Sequence, residues 1–245
     1  LTGNIVLNNT KNASSWDDTT DGLTAWTPIG NSNNSFKGTF DGGGYSVSGI
    51  YINSTKDYQG LFGCIGSGGT VKNVGITDSY ISSTASYVGG VAGLADGSTI
   101  ETCSNTGAVS GGDTVGGIVG FVSRTSNSTI ETCYNTGAVS GGDTVGGIVG
   151  YIARVGDIIF GTGKNAIETC YNTGAVSGES TVGGIAGFTA ERSIIETCYN
   201  TGTVSGEGDS VGGIVGWAYS SRLTSGSGST IKTCYSTGTV SREST

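Results

Sequence analysis

The chain has 245 residues, of which 47 are Gly and one is Pro, with no His, no Met and a formal net charge of −8. Without His there is no His-based acid–base catalysis, no Ser-His-Asp or Cys-His nucleophile and no His metal ligand. The acidic balance opposes binding of nucleic acid or an anionic membrane through a basic face. Gly this abundant with almost no Pro is not collagen. Charged residues at 12% beside hydrophobic residues at 35% point to a folded Gly-rich β structure.

The chain opens on Leu1 with no leader in view, and reads as a mature fragment or excised domain of a longer protein. No run of about 20 apolar residues is present, so no insertion into a bilayer is expected. Residues 1–51 hold Trp16, Trp26, Phe36 and Phe40 and lack the later periodicity. They read as an irregular cap plus first coils, because an open solenoid end leaves strand edges unpaired. Asp17, Asp18 and Asp21 are a weak calcium candidate, with a polar loop as the plainer reading.

A repeat governs residues 52–245. Val115 to Gly120 reads VGGIVG and recurs unchanged at 145–150 and 211–216, and with small changes at 88–93 and 182–187. YQGLFG at 58–63 is a diverged earlier copy. After each copy comes a second segment: TIETCSNTGAVSG from Thr99, TIETCYNTGAVSG from Thr129, and related runs from Ile167, Ile195 and Ile231. TVKNVGITDSYIS from Thr70 is its first member. The apolar positions alternate over two to four residues and break at Gly, which fits short strands rather than a helix. A unit near 30 residues predicts about three short strands and three turns, one coil of an all-β parallel β-helix. Six to eight coils are expected, right-handed by the usual rule for parallel crossovers. The whole chain, 1–245, then forms a single domain about 30–40 Å long. No cap follows Ser241, so the chain is expected to continue.

Stacking turns equivalent residues into ladders. In TIETCYN, Ile is expected to point in, Glu out, Thr to sit at a bend, Cys in, Tyr out and Asn in. Cys103, Cys133, Cys170, Cys198 and Cys234 become a buried column of reduced thiols, with Val74 at the same level earlier. Asn105, Asn135, Asn172 and Asn200 become a stacked amide ladder. Cys64, Leu94, Phe121, Tyr151, Phe188 and Trp217 form another column of undetermined direction.

The VGGIVG and GLFG strands resemble GLUG-motif repeats. WTPIG…FKGTFDGGGYSVSGIYI, followed by YQGLFG and TVKNVGI, resembles their common lead-in, so the likeness runs over about residues 24–240. Such repeats occur in large secreted or surface-attached bacterial proteins, adhesin-like and IgA-peptidase-like ones among them. The resemblance implies a right-handed β-helix in a cell-surface or secreted setting, and carries no catalytic residues.

Candidate chemistry is sparse. Glu101, Glu131, Glu168 and Glu196 form an outward ladder ended by Lys232, read as a solvated face. No metal site, cofactor motif or phosphate loop is expected. Tyr134, Tyr171, Tyr199 and Tyr235 form an outward column suited to sugar rings or a protein partner, or simply to stacking on one another. Insertions at 122–129, 152–166, 189–194 and 218–230 fall at one place in the coil, and Arg154, Arg192 and Arg222 within them are candidate contacts for an acidic glycan. The expectation is a monomeric, non-catalytic structural or adhesive module binding glycan or a cell-surface protein. The alternative is a polysaccharide-processing enzyme using surface carboxylates. Ice binding by outward Thr columns is a thinner option.

Overall fold

The computed structural model describes residues 1–123, 127–153, 164–220 and 228–243. It is a parallel β-helix in which each coil pairs in register with the next. One coil runs through strands Thr99–Glu101, Ser104–Asn105, Ala108–Ser110, Thr114–Gly116 and Val119–Val122. The following coil repeats them as Thr129–Glu131, Tyr134–Asn135, Val139–Ser140, Thr144–Gly146 and Val149–Ile152. Ile100 pairs with Ile130, Val109 with Val139, Val115 with Val145, and Val119 with Val149.

Five short strands per coil replace the expected three, and the reason is local. In the early coil Thr70–Thr77 is one continuous strand that pairs with both Thr99–Glu101 and Ser104–Asn105. From then on it is broken at a Thr in the left-handed region: Thr102 at φ 52°, Thr132 at 53°, Thr169 at 54°, Thr197 at 56° and Thr233 at 55°. A β-branched residue there is an outlier, so alternation alone does not reveal the corner. Asn73, at φ 55°, holds the equivalent place in Thr70–Thr77.

The second break comes from the paired glycines. Gly147 needs no unusual φ; it needs space. A Cβ there would stand 2.5 Å from Asn172 Cγ and closer still to the Gly184 carbonyl oxygen. The glycine pair therefore lets the backbone lie against the buried Asn ladder of the same stack.

The core is a set of columns. Ile100, Ile130, Ile167 and Ile195 form one, Ile118, Ile148 and Ile185 another, and all are buried. Cys103, Cys133, Cys170 and Cys198 are buried beside them, and all six cysteines are free. At the N-terminal end the Trp16 ring meets Tyr51 edge-on at 6.1 Å. Trp26 donates its backbone N–H to the Tyr51 carbonyl and its indole N–H to the Leu61 carbonyl. Bridges Ile29–Phe62 and Phe36–Ile65 carry this segment alongside strand Phe62–Ile65. At the other end the last coil is open, with Trp217 53%, Ile231 43% and Val240 44% exposed.

Candidate functional site

The tyrosine face begins at the threonine corner. The left-handed Thr132 turns the chain, after which Cys133 points in, Tyr134 out and Asn135 in. In-register pairing of Tyr134, Tyr171, Tyr199 and Tyr235 then puts four rings in one column. Successive ring centroids are 5.0, 4.9 and 5.3 Å apart with interplanar angles of 4°, 2° and 7°. Both faces of Tyr171 and Tyr199 are thus covered by their neighbours. Partial burial, and then the adjacent Tyr134 and Tyr199, push the Tyr171 phenol above its usual range, so it remains a hydroxyl donor at neutral pH.

Beneath the rings, Asn105 Nδ2 donates to Asn135 Oδ1, Asn135 to Asn172, and Asn172 to Asn200, each at 2.8 Å. The second amide proton goes to the carbonyl of Gly107, Gly137 or Gly174. These fully buried amides satisfy one another and hold the register of the rings above. The backbone N–H of Cys133 donates to Cys170 Sγ at 3.4 Å. Burial raises the Cys133 thiol well above its usual range and Cys64 to about 11, so these two stay protonated and unreactive.

Beyond the threonine corner from the rings stand Glu101, Glu131, Glu168 and Glu196 in register. Lys232 closes the ladder with an ion pair to Glu196 at 2.8 Å. The tyrosine face is therefore bordered by negative charge, which disfavours an acidic glycan there.

Arg192 lies at the turn opening strand Ser193–Glu196, at the far end of that strand from the Thr197 corner and Tyr199. The structure does not gather it into the tyrosine column. Arg154 and Arg222 lie outside the described residues, as do most of the insertions at 152–166 and 218–230. Asp17 is held below its usual range by hydrogen bonds from the Thr19 hydroxyl, the Thr19 N–H and the Thr20 hydroxyl. Among the described residues no three Cys, Asp or Glu side chains converge to hold a metal ion.

A second aromatic ladder was only half visible in the sequence. Phe121, Tyr151, Phe188 and Trp217 share one column, and Tyr58 and Tyr87 extend it from a different position, just before the VGG strand. Tyr58 stacks on Tyr87 at 5.2 Å, and Tyr87 meets Phe121 at 4.9 Å. The available signal was an exchange: coils with Tyr at the earlier position carry Cys64 or Leu94 at the later one. This ladder floors a groove of about 500 Å³ edged by Asp113 and Asp143.

The profile of the GLUG motif matches residues 84–110. The chain carries the GLUG motif. Those residues make up one full coil, Val88–Gly89, Ala92–Ala95, Thr99–Glu101, Ser104–Asn105 and Ala108–Ser110. The GLUG motif is thus one turn of the helix, and the other coils continue its register. A protein of Evansella cellulosilytica provisionally named a Gly-rich membrane protein is 47% identical over 58 residues, 23% of this chain and 7% of that one. Halomucin of Haloquadratum walsbyi is 34% identical over 112 residues, 45% of this chain and 1% of halomucin. The chain therefore spans a small fraction of these relatives. A crystal structure from Bacteroides ovatus, of a protein provisionally assigned as an immunoglobulin A1 protease, superposes with a TM-score of 0.66 at 25% identity. The match covers 88% of this chain and 65% of that one.

Proposed function

We propose that this GLUG β-helix is a non-catalytic structural and adhesive module of an extracellular bacterial surface protein, which binds glycan or protein through one long side. The observation that carries the reading is that the exposed chemistry is repetitive. Glu and Tyr recur at the same levels coil after coil, whereas a catalytic set is singular. Equal weak sites at a fixed spacing suit avidity along a polymer or a cell surface. The relatives of this chain by name, a Gly-rich membrane protein and a halomucin, support a surface setting.

Enzyme action is the competing reading, favoured by the assignment of the Bacteroides ovatus neighbour as a protease. The intact chain should be screened on a glycan array and against surface proteins, and in parallel incubated with polysaccharides and with immunoglobulin A1. Binding without turnover is the expected result. Cleavage of either substrate class at a rate that survives repurification would overturn the proposal.

A further inference from the structure

The tyrosine column stops short, and where it stops there is a slot. Following the same register back from Tyr134, the next three levels hold Ser104, Gly75 and Ser46. At about 4.8 Å per strand these levels leave roughly 14 Å without a ring. The space is a cavity of about 720 Å³ lined by Asp41, Tyr45, Asn73, Gly75, Ser104 and Tyr134, among others. That volume lies within the range of small-molecule sites.

Three features of the slot point to a ligand. First, the face of Tyr134 turned toward Ser104 has no ring upon it, whereas its other face is stacked on Tyr171. The corresponding free face of Tyr235 lies on the open last coil, where Tyr235 is 56% exposed. Second, Ser104 is only 9% exposed, and no described residue hydrogen-bonds its hydroxyl. Its Oγ lies over Gly75, 3.2 Å from where a Cβ there would stand, so it is aimed into the slot. Third, Asp41 is fixed in place at the edge. Its Oδ1 accepts from the Gly43 N–H at 2.9 Å and from Asn73 Nδ2 at 3.0 Å, and those bonds hold the carboxyl below its usual range. Its Oδ2 faces Lys72 Nζ at 3.6 Å and retains lone pairs for a hydroxyl donor.

The geometry points to a neutral saccharide in this slot, one pyranose ring lying on the free face of Tyr134 with its hydroxyls shared between Ser104 and Asp41. This rests on the adhesive reading above and narrows it from the whole column to its N-terminal end. An apolar C–H face on an aromatic ring, with a carboxylate and a hydroxyl at the rim, matches a sugar on both its surfaces. The Glu ladder disfavours anionic sugars, although Lys72 at 3.6 Å offsets the Asp41 charge. An aromatic side chain from a protein partner fits the slot less well, since even Tyr or Trp offers Ser104 and Asp41 a single polar group where a pyranose offers several hydroxyls.

The sequence itself supplies the decisive variant. Ser104→Tyr extends the column by one ring at a position where the next four coils already carry Tyr, so the fold should be kept and the slot filled. Wild type, Ser104→Tyr and Tyr235→Ser should be titrated calorimetrically with hexasaccharides of glucose, N-acetylglucosamine and mannose, and with a tyrosine-containing pentapeptide. Thermal melts check that each variant is folded. At least one hexasaccharide should bind wild type, with affinity falling at least tenfold in Ser104→Tyr and less than twofold in Tyr235→Ser. Equal binding by folded Ser104→Tyr overturns the slot while leaving glycan adhesion intact. Binding of the pentapeptide alone, or of no probe, overturns the saccharide assignment and leaves the surface-module reading to its own screen.

Discussion

At the scale of single residues, the corner threonines are held where their type is disfavoured. A non-glycine residue in the left-handed region costs about 1–2 kcal/mol, least for Asn, whose short amide tolerates it. Asn73 already fills this corner in the first of these coils. Thr169→Asn should therefore stabilise the chain by about 0.5–1 kcal/mol, read from urea unfolding. A loss instead would mean that the Thr169 hydroxyl or methyl makes a contribution larger than the strain. The thiols are the second residue-scale case. Cys64, Cys103, Cys133, Cys170 and Cys198 are buried and Cys234 is half-buried. Native labelling should modify Cys234 first and the other five slowly, reaching six per chain on denaturation. Disulfides found by mass spectrometry in the native protein would contradict the free-thiol column.

Strands and ladders answer a different question, which side of the coil carries stability. Ile148 is fully buried between Ile118 and Ile185, so Ile148→Ala should cost about 2–5 kcal/mol. Tyr171→Ser removes two stacked contacts on a half-buried face, at about 1–2 kcal/mol in total. Equal losses in chemical denaturation would show that the rings are as much core as the isoleucines. The inward and outward sense of Ile, Cys, Tyr and Asn was legible in the sequence because five copies share one pattern, in which a bend at Thr lets Ile and Cys, three residues apart, both face in. The left-handed conformation of that bend was not, since a threonine in αL looks like any strand residue. Nor was the slot. It arises from what Ser104, Gly75 and Ser46 lack, and depends on their stacking beside Tyr134, Asp41 and Asn73, residues scattered over 94 positions of sequence.

At the scale of the whole molecule the coil itself is the unit, and the chain offers a clean way to test it. Ser110-Gly111-Gly112-Asp113-Thr114 and Ser140-Gly141-Gly142-Asp143-Thr144 are identical, and the strands on either side pair in register. Deleting residues 112–141 joins Gly111 to Gly142 and removes one copy of each of the five strands. Every ladder then closes on a residue of the same kind or position: Glu101 meets Glu168, Cys103 meets Cys170, Asn105 meets Asn172 and Ser104 meets Tyr171. Stability in such a stack is close to a sum of coil and neighbour terms. The shortened chain should thus fold, lose about 5 Å of length in solution scattering, and show a smaller denaturant slope because less surface is exposed on unfolding. It should also keep the slot, now closed by Tyr171, so saccharide binding should survive the deletion. A chain that fails to fold would show that the coils depend on more than their nearest neighbours. One that folds without binding would tie the ligand to Tyr134 itself rather than to the end of the column.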